Sequence, residues 1–591
     1  MIAFRFVRQL YRMMIPAALL TALGFGGGAG LLSLSSVMTA HFFDTLPGST
    51  QLSVRYALAF LAANVGSYLL DFVYMYGLTQ MDRFTTTLLR VNMLKGIYRR
   101  PGALPLSVTP GEAVTRFRDD VQDSGFQTNR FMLSFIHAGA SAGMFMYLAT
   151  IQPMLAALGA ASVVVIFIVM RRVQQKIVLY KNQTMARTEA VTGYLGEIFS
   201  AVGVLQVAGA VPDALRRFRE INREREEASL RERLQWGLLH AIAENGFYLG
   251  LGLVILAAAP LLARGEFTPG KFALFQMLLQ LVGWRLWGIS ESVAQFQAMG
   301  VYVARMAELA GGGEHLLTRV PLQFSEELPP DPTPVRTPTD QLEEFSAHGL
   351  TYQHPDSGRG VQGISLTIPR GSFTVITGKV GSGKTTLVRT LLGLLSAQAG
   401  EVRWNGQPVT DPTAFFTPPR IAYTPQVPKI FSGTVRGNIL MGLDPLAVDL
   451  EGAIESAILV PDLAQFPAGL ETEVGSRGLK LSGGQVQRTA AARMFARRPE
   501  LLVLDDISSA LDNETEVQLW NRLFAHAGAT VLCVSNRRAA LEKADQILLL
   551  EEGELIAAGS LASLLQTSPA MRELWAAVAP EAETEPMAMV G

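Results

Sequence analysis

Long apolar stretches dominate the first half of the chain. Six of them reach the ~20 residues that a helix needs to cross a bilayer. The first is longer than the apolar core of a cleaved secretory signal, so it predicts an uncleaved span. The pattern as a whole predicts an all-helical membrane domain with six membrane-spanning helices. These lie at about 13–38, 54–79, 131–151, 154–172, 236–263 and 272–299.

Basic residues are unevenly distributed between these stretches. Residues 39–52 and 151–153 contain no Lys or Arg, whereas residues 80–130 and 171–235 are rich in both. The positive-inside rule therefore places the N-terminus and the two basic segments in the cytoplasm. Because the number of spans is even, the C-terminus is predicted to be cytoplasmic as well. The two basic segments also have helical patterns, which predicts that the fourth and fifth spans extend well beyond the bilayer.

The pattern changes after about residue 310. Short apolar runs alternate with helical stretches, which predicts a mainly parallel sheet that binds ligands at the carboxyl ends of its strands. The predicted strands are 373–377, 421–424, 501–504 and 530–534. Residues 328–334 are rich in proline and predict a linker. The predicted domains are a transmembrane domain over 1–310, a linker over 311–345, an α/β domain over 346–579 and a disordered tail over 580–591.

Composition supports a membrane protein and excludes several classes of site. Of the 591 residues, 49% are hydrophobic and only 17% are charged. The 50 Lys and Arg residues nearly balance the 51 Asp and Glu residues, so no overall field favours nucleic acid as a partner. The single cysteine, Cys533, excludes an intrachain disulfide and a metal site built from cysteines.

A glycine-rich loop has the spacing of a phosphate-binding motif: Gly, four residues and Gly-Lys-Thr. It lies between the predicted strand 373–377 and a helical pattern at 387–392. Backbone N–H groups and the helix N-terminus can enclose phosphate oxygens there. Lys384 is predicted to reach the β- and γ-phosphates, and Thr385 to offer its hydroxyl group to Mg²⁺. The loop consists of Gly378, Lys379, Val380, Gly381, Ser382, Gly383, Lys384, Thr385 and Thr386.

Asp505 follows the apolar run 501–504, about 120 residues after this loop. A buried strand that ends in a carboxylate is common by itself. Together with the phosphate loop, it predicts that Asp505 holds Mg²⁺ directly or through water.

The sequence Leu481, Ser482, Gly483, Gly484, Gln485 lies shortly before that strand. With this LSGGQ signature the chain resembles the ATP-binding cassette (ABC) transporters. The resemblance extends to Tyr352, placed like the aromatic residue that stacks on adenine, and to Gln426, placed like the glutamine loop. It also includes Asp512, in a segment like the D-loop of the family. The membrane half resembles an exporter-type half-transporter of the type IV fold, so the resemblance covers nearly the whole chain.

The resemblance implies ATP and Mg²⁺ as cofactors and a head-to-tail dimer of cassettes. Each ATP then lies between the phosphate loop of one chain and the signature of the other. The implied metal ligands are Thr385, Gln426 and Asp505. The implied nucleotide contacts are Tyr352, the phosphate loop, Leu481 to Gln485 and Asp512, and the residues on the catalytic side are Asp506, Asn536 and Gln426.

Three residues depart from the family pattern. Asp506 stands where the family usually has the glutamate that polarises the attacking water, and its carboxylate falls about 1.5 Å short. Asn536 stands where the family has a histidine, and an amide cannot exchange a proton near neutral pH. Ser476 replaces a glutamate that is frequent in the family, in a loop associated with contact to the membrane-domain helices.

The chain therefore combines a weakened catalytic side with an intact signature. This combination resembles the degenerate-site subunit of a heterodimeric exporter of drugs or lipids, whose partner is a second ABC half-transporter. The predicted function is ATP-dependent export of an amphipathic small molecule, lipid or peptide by alternating access. The expected location is a bacterial cytoplasmic (inner) membrane, in contact with its lipids. A homodimeric lipid flippase and an exporter-fold importer of siderophore-like compounds are the alternatives, and a soluble cassette protein acting on nucleic acid is disfavoured by the six spans.

Several polar residues lie within the predicted spans. Charges at membrane depth are costly and tend to face a cavity or a partner. Arg285 is flanked by Trp284 and Trp287, so it is either a contact for an anionic or aromatic substrate or a structural arginine. The set consists of Asp71, His240, Glu244, Asn245, Arg285 and Glu291.

Overall fold

The computed structural model describes residues 2–318, 336–475, 481–506, 517–522 and 529–577. The chain divides into two compact units. The first consists of Met1–Ile97 and Leu106–Gln323, and the second of Tyr98–Pro105 and Phe324–Gly591. The division after residue 323 falls within the predicted linker. The assignment of Tyr98–Pro105 to the second unit was not predicted.

The first unit is entirely helical in its described part. A π-helical turn at Arg116–Asp120 joins its fourth and fifth helices. The helices are α1 (Ile2–Met13), α2 (Ile15–Thr45), α3 (Thr50–Tyr98), α4 (Pro110–Thr115), α5 (Val121–Ile151), α6 (Pro153–Ser200), α7 (Val202–Val207), α8 (Val211–Ala263), α9 (Pro269–Ala310) and α10 (Gly313–Leu316).

Six long helices, α2, α3, α5, α6, α8 and α9, contain the six predicted spans almost entirely. Among the described residues, four helical segments are long and apolar enough to cross a membrane. Helix α8 adds a shorter apolar segment at Tyr248–Ala263. Helices α6 and α8 have 48 and 53 residues, more than twice the ~20 that a bilayer requires. These lengths agree with the prediction that both helices extend beyond the membrane.

Local sequence explains where these helices begin and end. Pro153 and Pro269 occupy first-turn positions, where a missing N–H group costs nothing. Thr268 caps α9 by accepting a hydrogen bond from the Lys271 N–H group, and Gly311 ends the helix in a left-handed conformation. Helix α6 packs along α8, and α5 packs along α9.

The second unit contains two sheets. The six-stranded sheet has the order β10-β9-β3-β8-β7-β6 and is parallel except for the edge strand β10. The antiparallel four-stranded sheet has the order β2-β1-β4-β5. The strands are β1 (Glu344–Gln353), β2 (Gly360–Pro369), β3 (Phe373–Thr377), β4 (Ala399–Trp404), β5 (Gln407–Pro408), β6 (Ile421–Thr424), β7 (Leu501–Asp505), β8 (Thr530–Val534), β9 (Gln546–Glu551) and β10 (Glu554–Gly559).

The four strands predicted from apolar runs are β3, β6, β7 and β8, and they are neighbours in one parallel sheet. All residues of β3, β7 and β8 are buried, because both faces of this sheet are covered by apolar side chains. Their carboxyl ends consequently lie at one edge of the sheet, which is where a ligand site is expected.

Short helices connect these strands. The described ones are α11 (Lys384–Leu391), α12 (Pro412–Phe415), α13 (Val435–Leu440), α14 (Leu450–Ser456), α15 (Val460–Gln465), α16 (Gly483–Phe495), α17 (Arg538–Lys543), α18 (Leu561–Thr567) and α19 (Pro569–Ala577). The segment Tyr98–Pro105 also belongs to this unit. Its Ala103 N–H group donates to the Leu394 carbonyl oxygen at 3.0 Å.

Candidate nucleotide-binding site

The phosphate loop connects β3 to α11, as its sequence predicted. Gly378 has φ 148°, and a Cβ atom there would lie 2.2 Å from the Leu550 carbonyl oxygen. Gly383 has φ 97°, and its Cβ would lie 3.0 Å from the Gly360 carbonyl oxygen. Both the backbone conformation and the space therefore require glycine at these two positions.

Polar groups in this loop fit a phosphate ligand. Lys384 Nζ donates to the carbonyl oxygens of Gly378 and Lys379 at 2.8 and 2.9 Å. Ser382 Oγ is buried and has no hydrogen-bond partner in the described part of the chain. Because a buried polar atom without a partner is costly, a phosphate oxygen is a suitable partner for it.

Two oxygen ligands suitable for Mg²⁺ lie next to the loop. Thr385 Oγ1 donates to Asp505 Oδ1 at 3.0 Å, and Tyr423 donates its hydroxyl group to Asp505 Oδ2 at 3.3 Å. The described residues contain no group of three or more His, Cys, Asp or Glu side chains that could hold a metal by itself. A magnesium ion that is bound together with nucleotide phosphates needs only one or two protein ligands, so this pair fits it.

Strands β8, β7 and β6 lie in this order to one side of β3. Gln426 lies just after β6, Asp506 directly after β7 and Asn536 just after β8. Gln426 Nε2 donates to Asp506 Oδ2 at 3.1 Å. Thr377, the last residue of β3, donates its hydroxyl group to Asn536 Oδ1 at 3.0 Å. The parallel sheet thus brings the residues of the predicted catalytic side to the same edge as the phosphate loop.

Asp506 has an unusual backbone conformation. Its φ is 53°, and its N–H group donates to the Val534 carbonyl oxygen at 3.0 Å. Outside glycine, such left-handed backbone is most frequent for Asp, Asn and His. The conformation holds the short Asp506 side chain beside Gln426.

The signature begins helix α16. Ser482 Oγ accepts from the Gln485 N–H group at 3.3 Å, and Gln485 Oε1 accepts from the Ser482 N–H group at 2.9 Å. This capping box leaves the N-terminus of a 13-residue helix with its partial positive charge. Two hydrogen bonds from Arg488 to Asp462, at 2.6 and 2.8 Å, fix the helix to α15.

Tyr352 does not lie where the sequence analysis expected it. Its side chain is only 5% exposed and belongs to the core between the two sheets, so its face is not available for stacking on a base. His354, two residues later, is partly exposed, and its ring contacts Tyr352 edge-on at 5.0 Å. Tyr352 points into this core, and the partly exposed ring of His354 lies just after β1 ends.

Asp512 and Ser476 lie outside the described residues. The side chains of Glu244, Trp284, Trp287 and Glu291 are likewise outside the described part. Of the remaining intramembrane polar residues, Asp71 lies against Gly28 and Arg285 is buried.

Comparison with known proteins assigns both units. The sequence model of the ABC transporter transmembrane region matches residues 18–286, and the ABC transporter model matches residues 361–509. Together these matches cover well over half of the chain. The chain belongs to the ABC transporter family. It contains both a transmembrane domain and an ATP-binding domain, as a half-transporter does.

Two curated ABC transporters illustrate the similarity. A probable multidrug resistance ABC transporter ATP-binding/permease protein of Bacillus subtilis is 30% identical over 64% of this chain. An ATP-dependent lipid A-core flippase of Burkholderia pseudomallei is 28% identical over 65% of this chain. Each alignment covers 63% of the relative, which is less than two thirds of its length.

A solved bacterial Atm1-family ABC exporter with ATP bound has the same fold. The TM-score is 0.75 with 21% identity, over 97% of this chain and 99% of the other. The predicted fold class, a helical transmembrane domain followed by an α/β nucleotide-binding domain, is therefore confirmed.

Burial shifts the protonation of the groups in this ABC transporter site. It raises the pKa of Asp505, although hydrogen bonds from Thr385 and Tyr423 partly oppose the shift. Burial likewise raises the pKa of Asp506 and lowers the pKa of Lys384. Burial, with the charge of Asp505, raises the pKa of Tyr423 to about 12, so its hydroxyl group stays protonated and donates.

Magnesium binding to this site is expected to weaken as the pH falls, at higher pH values than for an ordinary aspartate. Mg²⁺ needs the deprotonated Asp505, whose pKa is raised. The metal-free fold has the opposite dependence, because a raised folded-state pKa contributes stability at low pH that is lost as the pH rises through it. Tyr423→Phe removes a hydrogen bond to the carboxylate, so it should move the midpoint of Mg²⁺-dependent nucleotide binding to higher pH. Titration with a fluorescent ATP analogue at several pH values measures this.

The matched control is Tyr98→Phe, because Tyr98 is an exposed tyrosine outside the site. It should leave the midpoint unchanged. An unchanged midpoint in Tyr423→Phe would show that Asp505 does not control the metal.

Proposed function

We propose that this chain is one subunit of a heterodimeric ABC exporter, with one degenerate and one competent ATP site. ATP binding closes the cassettes, and the membrane helices change from inward- to outward-facing to move an amphipathic substrate out of the cell. The partner is a second ABC half-transporter that provides glutamate and histidine where this chain has Asp506 and Asn536. The proposed location is a bacterial inner membrane, with both termini in the cytoplasm.

The pair Asp506 and Asn536 carries this proposal. The hydrogen bond from Gln426 holds the carboxylate of Asp506 beside the glutamine loop. An aspartate reaches about 1.5 Å less far than a glutamate, and a misplacement of about 1 Å can cost about 100-fold in rate. Asn536 is held by Thr377 and has no proton to exchange near neutral pH.

The binding side of the same site is intact. Thr385 and Asp505 would hold Mg²⁺, which would neutralise the charge of the phosphates of bound ATP. Lys384 exchanges its two carbonyl partners for phosphate oxygens, and the glycine-rich backbone surrounds them. This site is therefore suited to retaining MgATP. Most turnover takes place at the other site of the dimer, to which this chain contributes its signature.

The proposal is tested by measuring ATP turnover of the purified chain, alone and with a candidate partner. Slow turnover alone and fast turnover in the complex are expected. Fast hydrolysis by the chain alone would overturn the degenerate site.

We also propose that His354 contacts the nucleotide base. The hairpin that carries it is closed by a 2.8 Å hydrogen bond from the His354 N–H group to the Arg359 carbonyl oxygen. The next residue, Gly360, approaches Gly383 of the phosphate loop. The ring of His354 is thus an accessible aromatic group beside the phosphate loop. The buried ring of Tyr352 contacts it from the core.

A homodimeric lipid flippase is the second candidate function. The similarity to the lipid A-core flippase of Burkholderia pseudomallei favours it. It predicts lipid-stimulated turnover by the chain alone, which the heterodimer does not.

The surroundings of Arg285 favour a substrate with an anionic group. Its side chain is 7% exposed, and the described residues include no carboxylate paired with it. It donates to Met144 Sδ at 2.8 Å. Gly288 is about one turn further along α9, and His137 of α5 lies against it. The buried Nδ1 atom of His137 has no hydrogen-bond partner in the described part. A charge at membrane depth is costly without a counter-ion, which a substrate can provide.

Arg285→Met should therefore abolish most stimulation of ATP turnover by anionic amphiphiles, because it removes the cation that pairs with them. Arg285→Lys keeps the charge and should retain part of the stimulation. The measurement is ATP turnover of the complex in lipid nanodiscs with anionic and cationic fluorescent amphiphiles. Equal loss with both kinds of amphiphile would indicate a structural role for Arg285.

A further inference from the structure

Helix α1 has two different faces. Phe6, Val7 and Leu10 are buried in an apolar cluster with residues of the long helices. Arg5, Arg8 and Arg12 are exposed. This division, with arginines on the polar face, is typical of a helix that lies in the plane of a membrane interface. The chain then bends at Met14 and enters the first span, α2.

A groove of about 540 Å³ lies at this bend. One wall is formed by α1 and the first two turns of α2, where the small side chains of Ala18 and Ala22 leave space. The other wall is formed by α5 through Phe131 and Phe135, whose rings contact each other edge-on at 5.0 Å. Both walls belong to the first unit.

The only charged side chains that line the groove are Arg8 and Arg12, and its other lining residues are apolar except for Tyr11. The described residues offer neither arginine a hydrogen bond or an ion pair. Tyr11 donates its hydroxyl group to the Thr128 carbonyl oxygen at 2.5 Å, which fixes α1 against α5. No acidic residue precedes Asp44 in the sequence. The polar end of the groove therefore has two positive charges without a counter-ion.

We propose that this groove is a binding site for an anionic phospholipid of the cytoplasmic leaflet. Arg8 and Arg12 donate charge-assisted hydrogen bonds to the phosphate group, and one acyl chain lies between α2 and α5. Within α2, the ~1.5 Å rise per residue puts Ala22 about 10 Å from Ile15 along the helix axis, a distance suited to part of an acyl chain. The cytoplasmic leaflet is rich in anionic lipids, so the charge of the site matches its surroundings.

This site differs from the general lipid-facing surface of the protein. The remaining exposed apolar residues on the spans can contact any acyl chain, without selecting a headgroup. The groove combines an open apolar surface with two guanidinium groups at one end. A lipid held there would bridge α1, α2 and α5 and stabilise the bend at Met14.

The test compares lipid retention by the full chain and by an Arg8→Gln/Arg12→Gln variant. Purified protein is titrated with dioleoyl phosphatidylglycerol or dioleoyl phosphatidylcholine, and bound lipid is counted by native mass spectrometry. The double variant should bind phosphatidylglycerol at least tenfold more weakly, whereas retention of phosphatidylcholine should change little. A second variant, Ala22→Phe, fills the groove and should displace the lipid with both arginines intact.

Arg5→Gln is the matched control, because Arg5 lies on the same helix and is exposed but does not line the groove. It should retain phosphatidylglycerol like the unmodified chain. Equal loss in Arg5→Gln would show attraction to surface charge in general and would overturn the site. Full retention in Ala22→Phe would equally overturn it, since the acyl chain would then lie elsewhere. Far-ultraviolet circular dichroism confirms that each variant is folded.

Discussion

Replacing Asp506 by glutamate and Asn536 by histidine should raise ATP turnover by the chain alone by about 100-fold. The glutamate carboxylate reaches about 1.5 Å further toward the attacking water. The histidine provides a group that can exchange a proton near neutral pH. Lys384, proposed to bind the phosphates, and Thr385, proposed to bind Mg²⁺, are already in place. Steady-state phosphate release by the purified homodimer in nanodiscs measures the effect.

The single variants separate the two contributions. Asp506→Glu alone should give roughly a tenfold increase, somewhat reduced because the left-handed backbone at φ 53° suits aspartate better than glutamate. Asp506→Asn has the same length without the charge and is the matched control, which should not increase turnover. If the double variant hydrolyses ATP no faster than the natural chain, the two residues do not limit the reaction.

Gly483→Asp in the signature should reduce ATP turnover of the heterodimer by more than about 100-fold. It puts a negative charge at the N-terminus of α16, which faces the phosphates of the competent site in the proposed dimer. The variant should still fold, because a Cβ atom at Gly483 meets no other atom within 4 Å and an acidic residue in the first turn stabilises a helix. Turnover is measured on the complex purified with its partner.

Two further variants make this result specific. Ala562→Asp adds the same charge to the first turn of α18, where the residue is exposed, and should leave turnover unchanged. Lys384→Ala weakens only this chain's own site and should reduce turnover of the complex by only a few fold. In a homodimer Lys384→Ala would affect both sites, so a complete loss of turnover with it would contradict the heterodimer.

Several features could be predicted because their signal is local in the chain. Apolar runs located β3, β6, β7 and β8, since a parallel strand buried on both faces is a continuous apolar segment. The phosphate loop was recognisable because its three glycines have conformations that no other residue adopts easily. Pro153, Thr268 and Pro269 are local signals of the same kind at the N-termini of α6 and α9.

Other features were missed because they depend on which face of an element is covered. Tyr352 lies at a plausible place in the sequence for a base contact, but β1 turns its ring into the core and leaves His354 accessible. No helix was predicted for the residues of α1, which precede the first predicted span at 13–38. The alternation of Phe6, Val7 and Leu10 with three arginines was the available signal for a separate interfacial helix.

The sequence by itself determined the two domains, the order of the strands along the chain, the phosphate loop, the signature and the residues that depart from the family. These follow from composition, periodicity and short motifs, which involve only neighbouring residues. Only the tertiary structure decided which strands lie side by side, and hence that Gln426 contacts Asp506 and Thr377 contacts Asn536. It also decided that Arg285 is buried and that Arg8 and Arg12 border a groove. The physical reason is that burial and pairing depend on residues far apart in the chain, whose contacts form only when the elements pack.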